Sequence, residues 1–267
     1  MEMIVVTDIG PRIMSFRLGN GPNILYEDKT GFSVGDWQLY GGHRFATAPE
    51  TTKTYEPDNQ PCQAVVGGQL LRISGPPGCG AIQKIMEISH CRCCDGFKVR
   101  HILRNTGGML WPAAPWAITC VKPIGRVVAQ WGSGTGKWRT NMVRYWSQMG
   151  SCGTCANSRQ WQPGNDIFVV QPSGETGKIG LYTDQGWMAL LAGELTFIKR
   201  FQPVVRQSLC PDGGCNIEIY TCSNYIEMET LGAFETICPD AEITHTECWK
   251  LSADVFEPDQ FKAVSQL

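Results

Sequence analysis

Three carboxylates on two neighbouring alternating segments are the residues of this 267-residue chain best suited to moving protons. In Asn216-Ile217-Glu218-Ile219-Tyr220 the two-residue period of a strand places Asn216, Glu218 and Tyr220 on one face and the isoleucines on the other. In Tyr225-Ile226-Glu227-Met228-Glu229-Thr230-Leu231 the same period groups Tyr225, Glu227 and Glu229. Side by side, the two strands present acids and phenols to one space, a composition suited to general acid–base chemistry. The water-facing side of an antiparallel sheet has the same pattern, and periodicity leaves both readings open. Lys199-Arg200 and the turn Pro211-Asp212-Gly213-Gly214 precede these strands, and alternation sends one of the two cations inward and the other out.

A second polar constellation runs from Trp37 to Asn59. Gly41-Gly42 permits close approach of the backbone to another segment or a ligand, and His43-Arg44 project immediately after it. Arg44 offers a rigid donor fork for hydroxyls or carboxylates, and His43 titrates near neutral pH. Tyr40, Glu50, Tyr55, Asp58 and Asn59 complete an extended, polar and aromatic stretch that suits the wall of a site. A surface loop with His43-Arg44 paired to Glu50 is the other reading.

Positioning these groups requires strands. Short alternating segments separated by Gly, Pro and Asn recur from Met3-Ile4-Val5-Val6 to the 225–237 region, and helical periodicity is confined to one or two turns between Met142 and Met149. An all-β sandwich follows, read as one domain over residues 1–267, with more strands than an immunoglobulin-like domain and no internal repeat. Several of the nine tryptophans, Trp37 and Trp116 among them, stand near Gly, Pro or polar residues, where an indole face can stack on a sugar ring; core packing is the alternative.

Composition narrows the partners. A net charge of -2 gives no footprint for nucleic acid or an anionic membrane, so a small or uncharged partner is expected. The amino terminus lacks the pattern of a signal peptide, and no apolar run reaches the roughly 18 residues of a span, which makes a cytoplasmic protein the default expectation. Among 13 cysteines, Cys91-Arg92-Cys93-Cys94 and Cys152-Gly153-Thr154-Cys155 have spacings that can hold a metal or close a redox loop. No Cys or His pair follows Cys94 at zinc-finger spacing, so no metal or other cofactor is expected. The odd count favours reduced thiols.

Further motifs span nearly the whole chain in order: Gly10-Pro11-Arg12-Ile13, Tyr40-Gly41-Gly42-His43-Arg44 through Glu50, Leu103-Arg104-Asn105-Thr106-Gly107, Ala114-Pro115-Trp116-Ala117, Pro211-Asp212-Gly213-Gly214, Glu229-Thr230-Leu231-Gly232 and His245-Thr246-Glu247-Cys248-Trp249. In these the chain resembles the galactose mutarotase-like superfamily, in a bacterial branch related to aldose 1-epimerases. The resemblance implies a mostly antiparallel β-supersandwich with a sugar-sized cleft. It also implies a glutamate on a late strand that takes the anomeric hydroxyl proton and a histidine that protonates the ring oxygen. Glu229 matches the base. The stretch where the family carries its histidine reads Pro115-Trp116-Ala117-Ile118-Thr119, so His43 is expected to stand in as acid, with Arg44 binding hydroxyls or a carboxylate.

Trp37, Tyr40, Glu50, Asn59, Trp116, Lys199, Arg200, Asp212, Asn216 and Glu218 are the expected substrate contacts. Such a set suits an acidic sugar or a sugar phosphate, or else forms an internal salt-bridge network. His90, His101 and His245 read as structural. Sugar 1-epimerase-like chemistry on a small-molecule carbohydrate leads the readings. Carbohydrate binding without turnover, a polysaccharide lyase or hydrolase in the same cleft, and a metal-assisted reaction using His43 and Glu50 follow. Oligomeric state is left open.

Overall fold

Strands of this chain read as apolar alternation wherever one face meets solvent and as continuous apolar runs where both faces are covered. Trp111–Val121 is of the second kind, buried without interruption from Ala113 onward, and it lies at the middle of a sheet. The computed structural model describes residues 1–132, 141–148 and 153–254. Trp138, Met149 and Cys152 fall outside these.

One sheet of nine strands has the order Glu2–Val6, Arg12–Arg17, His43–Ala48, Trp111–Val121, Ile226–Leu231, Ile217–Thr221, Gly177–Leu181 and Arg144–Tyr145, with Glu235–Ile237 pairing the start of Trp111–Val121. A second sheet of ten strands packs against it, with Leu195–Phe201, Glu242–Ser252, Gly96–Asn105 and Ile82–Cys91 adjacent near its middle. Among the described residues every pairing between these strands is antiparallel, in line with the mostly antiparallel all-β supersandwich expected, and one isolated bridge, Gly132 to Thr183, is parallel. Among the described residues the only helical turns are short 3-10 segments, and no helix is long and apolar enough to cross a membrane. The turns expected after Met142 are not helical: Arg144–Tyr145 pairs with Gly177–Leu181, so its backbone bonds go across the sheet.

Phe45, Ala117, Met228, Ile219 and Ile179 of the first sheet meet Val99, Leu103, Met188, Phe197 and Trp249 of the second in one core. A polar chain crosses that core. Lys199 is fully buried and donates to Thr119 Oγ1 at 2.8 Å and to the Met228 carbonyl at 2.9 Å, with Glu247 at 2.8 Å as its counter-charge. Thr119 Oγ1 lies 2.9 Å from His43 Nδ1, His43 Nε2 lies 2.7 Å from His101 Nε2, and His101 Nδ1 lies 3.0 Å from the His245 carbonyl. One assignment of protons satisfies the line: Thr119 donates to His43, His43 to His101, and His101 to the carbonyl, with both imidazoles neutral. Burial agrees, lowering His43 well below the usual histidine value and His101 to about 4.

Glu247 also accepts from the Trp249 indole at 2.7 Å, and although burial opposes its charge, Lys199 holds its carboxyl far below the usual range. Breaking one partner of a buried ion pair strands the other. Glu247→Gln is expected to cost about 3–5 kcal/mol in urea unfolding, and Lys199→Met combined with Glu247→Gln less than Glu247→Gln alone. Additive losses would show that the two charges do not stabilise each other.

Candidate functional site

Register brings the outward-facing residues of the first sheet into two rows. Arg44 stands opposite Ile118, Ile118 opposite Glu229, Glu229 opposite Glu218, and Glu218 opposite Gly180. In the next row Cys120 stands opposite Glu227, Glu227 opposite Tyr220, and Tyr220 opposite Lys178. Gly180, without a side chain, leaves room beside Glu218, where Cys215 and Trp146 crowd in; a Cβ there would stand 2.5 Å from Cys215 Sγ.

Lys178 is the centre of this face. Its Nζ lies 2.8 Å from Glu50, 2.8 Å from Glu218 and 3.0 Å from Glu229. The ammonium also sits over the Trp116 ring at 4.5 Å and the Trp146 ring at 5.1 Å. Burial works against its charge, but the carboxylates win and hold its pKa well above the ordinary lysine value. Glu218 moves the other way: burial pushes its carboxyl well up, Lys178 only partly compensates, and Glu229 adds like charge. Two buried carboxylates sharing one ammonium oppose each other's charge, and of the two Glu218 is the one driven well above the usual carboxylate range. Oε1 of both Glu218 and Glu229 finds no hydrogen-bond partner.

In front of this floor lies a cleft of about 360 Å³, within the range that small ligands fill. Phe32, Trp37, Tyr55, Trp116, Tyr220 and Tyr225 form its walls, and Arg44, Glu50, Lys178 and Glu227 supply its charge. Trp37 meets Tyr55 edge-to-face at 5.7 Å, and Arg44 stacks on Trp37 at 5.2 Å with its Nε unpartnered. Tyr55 donates to Glu50, whose backbone N–H donates to Asp212 Oδ1 at 3.1 Å. Glu227 is the group there that titrates near neutrality. Burial and the charge of Glu229 raise its pKa to about 7 against the pull of Arg44 and Lys178.

The structure gathers only part of the expected set. Trp37, Arg44, Glu50 and Trp116 line the cleft. Glu218 and Glu229 lie beneath it, fully buried, with Glu229 Oε2 accepting from the Trp116 indole and from Lys178. His43 does not reach it: one residue from Arg44 on the same strand, it faces the core, and so the pairing of His43 with Glu229 across one hollow is not what the fold builds. Lys199 is likewise in the core, and Arg200 faces outward on the second sheet opposite Cys248.

Asn216 is buried and clamps Thr183 through its backbone N–H at 2.9 Å and carbonyl at 2.8 Å. Tyr40 packs under Arg12, which is buried against Asp58 at 2.6 Å and the Gly41 carbonyl at 2.6 Å. Asn59 borders a separate hollow with Pro57 and Pro77, and Asp212 another with Arg144 and Trp146. Because His43 and Glu50 lie on opposite faces of the sheet, the metal set built on them does not converge. Gly41 and Gly42 are needed for packing: at φ +83 and +68, a Cβ would stand 2.3 Å from the Tyr26 and Ile13 carbonyl oxygens, respectively.

Sequence reasoning missed Lys178, a lone cation in the apolar strand Gly177–Leu181, and passed over Glu227 in favour of Glu229.

No protein-family model and no curated protein matches the chain. Solved structures do. A candidate aldose 1-epimerase from Escherichia coli K12 superposes with a TM-score of 0.60 at 11% identity, covering 94% of this chain and 99% of that one. A protein from Synechocystis sp. PCC 6803 gives 0.60 at 12% identity over 94% and 92%. A galactose mutarotase-like protein from Clostridium acetobutylicum gives 0.55 at 9% identity over 94% and 92%. At such identities the likeness speaks for the fold: the chain has the galactose mutarotase-like fold.

Proposed function

We propose that the aromatic-walled cleft binds a small carbohydrate and carries out 1-epimerase-like chemistry with Glu227 as base. What carries this reading is the placement of Glu227 in an aromatic-walled, sugar-sized cleft, where burial and the charge of Glu229 raise its pKa to about 7 while Glu50, Glu218 and Glu229 are paired with Lys178. Trp37 and Trp116 offer ring faces for the sugar's C–H surface. Glu227 takes the anomeric hydroxyl proton as the bond from the anomeric carbon to the ring oxygen breaks. The oxygen's developing charge faces Arg44, and the proton returns after the ring recloses on the other face.

Glu229 acts on this centre through its charge, which raises Glu227, and not as the base itself. With His43 and Lys199 in the core, the cations at the cleft are Arg44 and Lys178, and Lys178 is already matched by acids. A neutral aldose therefore suits the site better than an acidic sugar or a sugar phosphate.

Binding without turnover is the second reading. It is favoured by the placement of all four histidines away from the cleft: His43, His101 and His245 in the core, His90 at the surface 3.5 Å from Asp95. Exchange spectroscopy on free aldoses and uronic acids separates the two. Accelerated anomer exchange with a neutral aldose is expected, and Glu227→Gln should slow it by about 10²–10⁴-fold while the sugar still binds. Saturable binding without acceleration supports the second reading, and no binding of any sugar contradicts both.

The raised pKa has its own consequence. The folded protein holds a proton on Glu227 up to about pH 7 whereas an unfolded carboxyl loses it near 4.5, so the wild type loses stability as pH rises across that window. Glu227→Gln should flatten this slope in unfolding experiments at a series of pH values; an unchanged slope would place the titration elsewhere.

A further inference from the structure

The hairpin joining Ile82–Cys91 to Gly96–Asn105 turns through Cys91-Arg92-Cys93-Cys94-Asp95, and four sulfur atoms gather at its tip. Cys91 Sγ lies 2.9 Å from Cys93 Sγ and 3.4 Å from Cys248 Sγ, and the thiols of Cys91, Cys93 and Cys94 all fall within 4.8 Å of one another. Cys248 reaches this set through its contact with Cys91. Cys248 arrives from Glu242–Ser252, the strand next to the hairpin, so the set spans two segments distant in sequence.

We propose that Cys91, Cys93, Cys94 and Cys248 form a structural zinc site, closed by four thiolates. Four sulfurs are the full complement of a tetrahedral structural zinc, and Zn–S bonds of about 2.3 Å put ligand sulfurs roughly 3.8 Å apart. The two spacings to Cys91, 2.9 Å from Cys93 and 3.4 Å from Cys248, need to open by less than about 1 Å to admit the ion, and Cys248, which stands beyond 4.8 Å of at least one of the other thiols, has to close on it. Among the described residues the other contact of these sulfurs is a long one, 3.9 Å from the Cys94 thiol to the Trp249 carbonyl, and none of the four cysteines is in a disulfide.

The surroundings suit the charge of a four-thiolate zinc centre, which is formally two negative units. Lys98 and Arg200 occupy the positions directly opposite Cys248 on the strands either side of it, and Arg92 lies within the turn. Gly96 lets the hairpin close over the neighbouring strand: a Cβ there would stand 2.0 Å from the Trp249 carbonyl oxygen and 3.1 Å from Cys94 Sγ. Cys91 is buried while Cys93 is exposed, so the ion is held at the surface with one side accessible for loading. The centre would tie the hairpin tip to the strand bearing Glu247 and Trp249.

Elemental analysis of protein purified under reducing conditions with zinc present is expected to find equimolar zinc. Cys248→Ser should lose it, whereas Cys238→Ser, at an exposed thiol outside the cluster, should keep it. Cobalt in place of zinc should give the absorption of a tetrahedral thiolate complex. A measurement independent of variant folding is peptide mapping after alkylation: zinc should protect Cys91, Cys93, Cys94 and Cys248 from iodoacetamide, and chelation should expose them. Protein without metal after zinc loading, a disulfide among these residues under reducing conditions, or a cobalt spectrum unchanged in Cys248→Ser would overturn the assignment.

Discussion

A single ammonium held out of water by three carboxylates sets the form of the cleft. Lys178 takes one acid from the segment that follows the strand His43–Ala48, Glu50, and two from adjacent strands, Glu218 and Glu229. A charge so buried cannot be left unmatched without losing several kcal/mol, and neither can the acids. The requirement holds Glu50 and, through its bond from Tyr55, that ring over the outer face of the first sheet, where it meets Trp37 edge-to-face. It also leaves one carboxylate, Glu227, in the field of a buried neighbour and near neutrality in pKa.

The same strand serves two polar systems on its opposite faces. On the outer side Glu227 and Glu229 belong to the cleft and its floor. On the inner side the Met228 carbonyl accepts from Lys199, and Thr230 bonds His245 at 2.7 Å and Glu247. Residues one apart along Ile226–Leu231 are thus anchored from both sides of the sheet. Such anchoring suits a site whose chemistry depends on a fixed carboxylate, since pre-organised groups need little rearrangement as charge develops.

Much of this arrangement could be read from alternation. The grouping of Glu218 with Tyr220 and of Glu227 with Glu229 on one side of two paired strands follows from a period of two, and the strand-rich, helix-poor sequence pointed to the sandwich. The same rule, applied to His43-Arg44, would have shown that two consecutive strand residues cannot both face one cleft. Which acid reaches solvent was not legible, because it depends on neighbours across the sheet: Trp116 covers Glu229, while Glu227 stands opposite the smaller Cys120. Lys178 did leave a signal, a lone charge in an otherwise Gly and aliphatic strand, which implies a buried partner. Its partners, like Cys248 for the cysteine hairpin, come from distant segments that no local pattern connects.

Crystals of the protein grown with a neutral aldose test the central claim most directly. The account predicts a sugar ring between Trp37 and Trp116, with its anomeric hydroxyl on Glu227 and no contact to His43. A ring bound in the hollow near Pro57 and Pro77, or one that leaves Glu227 unengaged, would contradict it.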